Sequence, residues 1–166
     1  MEYSALIFDD CMDETDSYEN LEASVQVFQK DDRCRQIVVS CSTEWLLKLA
    51  QRPSPKMMMV QMADTPYVAL LNGLKAVSQE NVVVVGLSHI VDREKLDTML
   101  CELGQYPAIY YNEDLQAFDT RLLMFSLQLA IETNVQIDSY AMAVEKLSNT
   151  PLQKIILPMV ILEAPN

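Results

Sequence analysis

The sequence predicts an α/β domain: a three-layer α/β/α sandwich around a mostly parallel central sheet. Three observations lead there. Short β-branched and aromatic runs alternate with stretches of helical periodicity along the whole chain, the pattern of strand–helix–strand units. The run NVVVV (81–85) is apolar at four successive positions, as expected of a strand covered on both faces. No internal repeat, low-complexity tract or linker divides the 166 residues, so 1–166 reads as a single domain. A chain of this length buries roughly 70% of its unfolded surface.

Taken in order, YSALIF (3–8) is the first strand, ending at Asp9-Asp10. Residues 9–22 carry seven acids and no glycine, a solvated loop leading into a helix over 20–30 with Leu21, Val25 and Phe28 on one face. QIVVSC (36–41) is the second strand. Ser42 has the chemistry of an N-cap for the helix STEWLLKLAQ, which Pro53 and Pro55 close. KMMMVQM (56–62) follows as the third strand, then a helix over 66–77 with Pro66 suited to its first turn.

NVVVV is the fourth strand, and Asp92 caps the helix DREKLDTMLCEL behind it. PAIYY (107–111) is the fifth. The spacing of Phe118, Leu122, Phe125 and Leu129 predicts one helix whose stripe is core. A shorter helix begins at Asp138, and KIIL and MVIL (154–162) read as late strands around Pro158. Trp45 suits core or interface equally.

Charge bounds the function. With 24 acids against 12 bases the chain carries −12, which disfavours nucleic acid and anionic membrane and favours a basic or protein partner. No apolar stretch reaches a membrane span, and Glu2 and Ser4 do not suit a signal-peptide start, so a cytoplasmic location is expected. Cys11, Cys34, Cys41 and Cys101 lack metal-site spacing and read as reduced thiols. The acids beside Cys11 disfavour its thiolate. Ten methionines suggest adaptable core packing.

Catalytic constellations are scarce. His89 is the one histidine, without a Ser/Cys/Asp pattern around it, and reads as a capping or surface residue. Three glycines (Gly73, Gly86, Gly104) cannot make a phosphate-cradling loop, and the first strand–helix turn presents carboxylates where such a loop would turn N–H groups toward an anion. The acid cluster Asp9, Asp10, Asp13, Glu14, Asp16 reads as a solvated or partner-facing patch ahead of a metal site. Asp9-Asp10, Asp64 and Ser88 resemble the acidic pair and neighbours of a response-regulator receiver, a phospho-acceptor module. PAIYYNED, however, lacks the lysine that such a module carries after its fifth strand.

A more specific resemblance covers most of the chain in a fixed order. QAFDTRLL (116–123) resembles the TPQAFxxxLL segment of the cytidylyltransferases that make CDP-methylerythritol or CDP-ribitol, and QIDSYAMAVEKL (136–147) resembles their ITDEASAVE helix. LLNGLKAV (70–77) and NVVVV resemble their SVxxGLxA helix and VLVHDAARP strand, and PLQKIIL with MVILEAP (159–165) their closing strand pair. The implied fold is the Rossmann-like nucleotide-diphospho-sugar transferase type.

The same resemblance implies that the reaction is lost. The family's Gly-rich CTP loop is replaced by the acidic stretch from Asp9 and Asp10 onward, and its PKQY lysine segment is missing. The Arg and Ser of GGxxRxxSV align with Pro66 and Ala69, the metal-binding Asp of VHDAARP with Leu87, and its Arg with Ile90. The Thr-Asp pair of ITDE becomes Asp138-Ser139, and the Lys of NIKIT becomes Ile161. The short segment between Leu100 and Gln105 leaves no room for the family's substrate-completing β-arm. These changes remove the charges that would stabilise displacement at an α-phosphate. The expectation is a catalytically inactive protein with no catalytic residues, metal or cofactor, acting as a protein-binding or regulatory subunit. A diverged cytidylyltransferase and a receiver-like module are the alternatives.

Overall fold

The computed structural model describes residues 1–9, 17–61, 65–88, 90–136 and 139–155. Its elements follow in the order β1 (Tyr3–Phe8), α1 (Tyr18–Gln29), β2 (Cys34–Cys41), α2 (Thr43–Ala50), β3 (Met57–Gln61), α3 (Pro66–Ala76) and β4 (Asn81–Val85). Then come α4 (Arg93–Leu103), β5 (Ala108–Asn112), β6 (Leu115–Asp119), α5 (Thr120–Thr133), α6 (Tyr140–Leu147) and β7 (Gln153–Lys154). The strands form one seven-stranded sheet in the order β3-β2-β1-β4-β6-β5-β7. The β1–β2, β1–β4, β2–β3 and β5–β7 pairs are parallel, and β6 runs antiparallel to both its neighbours. This order differs from the 2-1-3-4-5 winding of receivers.

Period-two alternation sends each strand's side chains to two separate cores. Tyr3, Ala5, Ile7, Val83 and Val85 face α1, α2 and α4; Leu6, Val82 and Val84 face α3, α5 and α6. The four valines of β4 are fully buried, and sealing each away from water is worth about 1.5–3 kcal/mol. The helix starts behave as their residues dictate: Ser42 Oγ accepts from Trp45 N and Asp92 from Glu94 N and Lys95 N.

Three expectations are corrected. Phe118 belongs to the unforeseen strand β6, and the helix starts one residue beyond its N-cap, Asp119. The buried face of α5 is therefore Leu123, Ser126, Leu127 and Ala130, while Phe125 is exposed. Met58 and Met59 lie exposed on a sheet edge, outside the core. Of the expected strand KIIL (154–157), Lys154 lies in β7 and Ile155 follows it outside the strand, while residues 156–157 and MVIL lie outside the described residues. Residues 100–105 finish α4 and turn directly into the approach to β5, and β5 and β6 are joined by the tight turn Glu113–Asp114. Among the described residues no strand protrudes from the sheet as an arm.

Two polar clasps hold the amino-terminal ends of the central strands. Gln36 Oε1 accepts from Ser4 Oγ (2.9 Å) and Ser78 N (2.9 Å), while its Nε2 donates to Ala76 O (2.8 Å), tying β1 and β2 to the end of α3. In the other, Tyr3 OH donates to Asp31 Oδ2 at 2.7 Å, and Arg33 donates to both Asp31 oxygens at 2.9 Å and to Asp97 of α4 at 2.6 Å. Burial pushes the Asp31 carboxyl up, but hydrogen bonds from Arg33 and Tyr3 outweigh it and hold the group at about 2, against an ordinary 3.8. Burial and the bond to Asp31 push the Tyr3 phenol the other way, upward.

A depressed carboxylate stabilises the fold above its unfolded pKa and ceases to as pH falls through the folded one. Stability of about 2 kcal/mol should therefore be present at neutral pH and be lost as pH drops from about 4 toward about 2. Urea titrations across that range check it, and Asp31→Asn should remove both the stabilisation and most of its acid dependence. At Gln116, fully buried in β6 between Val84 and Tyr110, neither amide atom has a hydrogen-bond partner among the described residues. An unmet buried amide costs about 1–3 kcal/mol, so Gln116→Met should raise the urea midpoint without altering the slope.

Candidate functional site

In an open α/β sheet a ligand site forms beyond the carboxyl ends of the strands, where the strand order reverses. Here the order 3-2-1-4 reverses between β1 and β4, so that point is bounded by Asp9 and by Gly86-Leu87-Ser88. Asp9 is a buried carboxylate whose backbone N–H donates to Ser40 O at 2.9 Å, carrying the β1–β2 ladder one residue past the strand.

Leu87 is only 1% exposed and packs into the core on the α1/α4 face. Its carbonyl accepts a 2.7 Å hydrogen bond from Asn20 Nδ2 in the first turn of α1. That turn is fixed by Ser17, whose Oγ accepts from Asn20 N at 3.1 Å, so Asn20 is positioned from its backbone to bridge to the chain leaving β4. Around the same turn, Tyr18 meets the Trp45 ring at 6.3 Å, and the Lys48 ammonium lies 5.0 Å from the Tyr18 ring centroid. Trp45 is half-buried there and thus joins α1 to α2.

Gly86 is needed for a close approach. Its N–H donates to Asp114 O at 3.0 Å, and a Cβ at this position would meet the Asp114 carboxylate at clashing distance and its Cα at 3.4 Å. The turn of the β5–β6 hairpin thus sits directly on the end of β4. Asn112 Oδ1 in turn accepts from Asp114 N at 2.8 Å, fixing the turn.

The remaining expected positions are dispersed. Pro66 is the first residue of α3 behind the N-cap Thr65, and Ala69 is fully buried with its N–H on Thr65 O at 2.9 Å. One starts the helix and the other packs in the core. Ile90 is exposed and lines a hollow of about 180 Å³ with Asp92, Tyr111 and Asp114. Ser139 caps α6, its Oγ accepting from Met142 N at 3.2 Å, and borders a second hollow of about 200 Å³ with Tyr110, Glu113 and Lys146. Tyr110 and Tyr111 alternate, so the hairpin separates Ile90 from Ser139. Each hollow is smaller than the roughly 300–1,000 Å³ that holds a drug-sized ligand. Asp10, Asp138, Ile161, Asp64, Cys11, Asp13, Glu14, Asp16 and His89 lie outside the described residues.

Nucleotidyl transfer from CTP would call for a divalent cation with oxygen ligands. Among the described residues no group of three His, Cys, Asp or Glu could hold a metal ion, and the chain after β4 offers an apolar side chain at the strand exit. The described residues do not fit the metal. Sequence reasoning missed Asn20 and Asp114, although signals were present. Ser17 three residues before Asn20 is an N-cap spacing, and the runs AIYY and LQAF around Asn112-Glu113-Asp114 have the form of a hairpin. Leu87→Ala should cost about 2–5 kcal/mol in urea unfolding, the usual range for a buried leucine. Leu87→Asp should cost more, since it adds an unpaired buried carboxylate.

No family model matches the sequence, and no curated protein sequence does either. Solved structures do. The 2-C-methyl-D-erythritol 4-phosphate cytidylyltransferase of Thermus thermophilus superposes with a TM-score of 0.69 at 16% identity, over 96% of this chain and 90% of that one. The 4-diphosphocytidyl-2C-methyl-D-erythritol synthase of Anaerococcus prevotii gives 0.76 at 11%, over 93% and 86%. The Francisella tularensis cytidylyltransferase gives 0.71 at 12%, over 92% and 90%. Among the described residues no helix is long and apolar enough to cross a membrane. The chain has the fold of the methylerythritol phosphate cytidylyltransferases, as the sequence resemblance implied.

Proposed function

We propose that this chain is a catalytically inactive cytidylyltransferase-like protein that serves as a protein-binding or regulatory subunit. The observation that carries this reading is Leu87. At the strand exit where the resemblance expects a metal-binding carboxylate, an apolar side chain is packed into the core and its carbonyl is held by Asn20 at 2.7 Å. A transfer at the α-phosphate needs charge of both signs around the phosphoryl oxygens, and a buried leucine supplies none. Pro66 and Ala69, at the positions aligned with an arginine and a serine, likewise bring no polar side chain.

A diverged cytidylyltransferase has one observation in its favour. Asp9 keeps a carboxylate at the end of β1 beside the switch point, in a fold whose solved examples make cytidine diphosphate conjugates. The two readings separate in one assay. With CTP, Mg²⁺ and either methylerythritol phosphate or ribitol phosphate, the protein should release no pyrophosphate above a protein-free control. Titration calorimetry should likewise give no CTP heat at millimolar nucleotide. Mg²⁺-dependent pyrophosphate release would overturn the proposal and establish the diverged enzyme.

A further inference from the structure

The two edges of the sheet are built differently. At one, the described residues give β7 as Gln153–Lys154, a short strand carrying a lysine, which is a usual way of keeping an edge from pairing with another chain. At the other, β3 pairs with β2 over five consecutive positions, Met57 to Gln61, without a bulge, a proline or a charge. Among the described residues nothing pairs with its outer side. Met58 and Met59 are 46% and 42% exposed there, and Leu47 on the neighbouring α2 is 65% exposed. An open, flat, apolar edge of this kind is a template for an added strand, and methionine adapts to varied partners.

Charge selects the partner. Residues 45–61, which make up most of α2 and all of β3, hold Lys48, Arg52 and Lys56 and no acid, in a chain with 24 acids and 12 bases. Arg52 is paired with Glu22 at 2.7 Å, but among the described residues no carboxylate pairs with either lysine. Lys48 lies over the Tyr18 ring, and Lys56 Nζ donates to the Gln29 and Asp31 carbonyls at 3.3 and 3.1 Å. A second copy of residues 45–61 laid against this edge would add a further Lys48, Arg52 and Lys56 to the same basic segment. An acidic strand would instead bring charge complementary to these bases.

We propose that the outer edge of β3 captures an acidic, extended segment of another protein as an eighth strand of the sheet. This rests on the binding-subunit reading and adds to it the surface and the chemistry of the partner.

The probe is an end-blocked heptapeptide alternating glutamate and valine, added to the full chain and followed by amide NMR and hydrogen exchange. Shifts and slowed exchange should concentrate at Met57–Gln61, weaken with salt, and fall at least about tenfold in affinity for the matching lysine–valine peptide. Met59→Glu should weaken capture by about tenfold, while Met59→Lys should retain it; both surface variants are checked for unchanged folding by circular dichroism. Absence of binding, equal binding of both peptides, or shifts centred elsewhere would overturn the proposal. Concentration-dependent self-association that protects the same amides without peptide would also overturn it, assigning the edge to a second copy. CTP turnover by a chain that still captures the strand would remove the subunit reading and leave this one. An inactive chain that captures nothing would do the reverse.

Discussion

Both faces of β1 and β4 must be covered at once, and the rest of the molecule follows from that. A central strand with apolar residues at nearly every position leaves water on neither side, so helices are needed above and below it. The chain supplies them by alternation, with α1, α2 and α4 on one face and α3, α5 and α6 on the other. Because the strand centres are apolar on both faces, most of the polar contacts that orient the layers fall at the strand ends. The Gln36 and Asp31 clasps lie at one end, and the Asn20–Leu87 bond at the other.

The parallel half of this arrangement was legible in the sequence because two-sided burial leaves an unambiguous signal. NVVVV, QIVVSC and YSALIF fall in β4, β2 and β1, and the caps Ser42 and Asp92 perform as expected. The reversed strand β6 was not legible from periodicity. Phe118, Leu122, Phe125 and Leu129 are spaced as a helix would have them, yet Phe118 pairs with Val82 and Ala108 in the sheet. Tertiary pairing overrode the pattern: with Asp119 capping α5, Phe118 is left on the strand side of the boundary. The true helical stripe is one residue away and includes Ser126, whose Oγ satisfies itself on Leu122 O, so it reads as less apolar than the false one.

The site was legible at one residue and opaque at others. Leu87 could be anticipated as a packed side chain because an apolar residue after an all-valine strand has a core within reach. Ile90, three residues on, has similar chemistry but is exposed, since the chain has turned toward the Asp92 cap of α4. Asp114 could not be tied to Gly86 from sequence at all. That contact depends on the β5–β6 hairpin folding back onto β4, a pairing between segments about thirty residues apart.

The stability of the sheet and the chemistry of its carboxyl edge rest on different residues. The buried polar clasps that resist separation of β1, β2 and the helices over them stand at the amino-terminal ends of the strands, around Tyr3, Asp31, Gln36 and Ser78. At the carboxyl ends, among the described residues, the Leu87 carbonyl bonded by Asn20, Gly86 against the β5–β6 turn, the packed Leu87 side chain and the buried Asp9 hold the chain. A ligand-binding set at this edge would hold carboxylates and cations close together, a costly arrangement in the absence of its ligand. Leucine at the strand exit avoids that cost and adds core contact. Among the described residues the sheet's edges present unpaired backbone groups, and of the two, β3 is the one without a lysine or proline in the strand to close it.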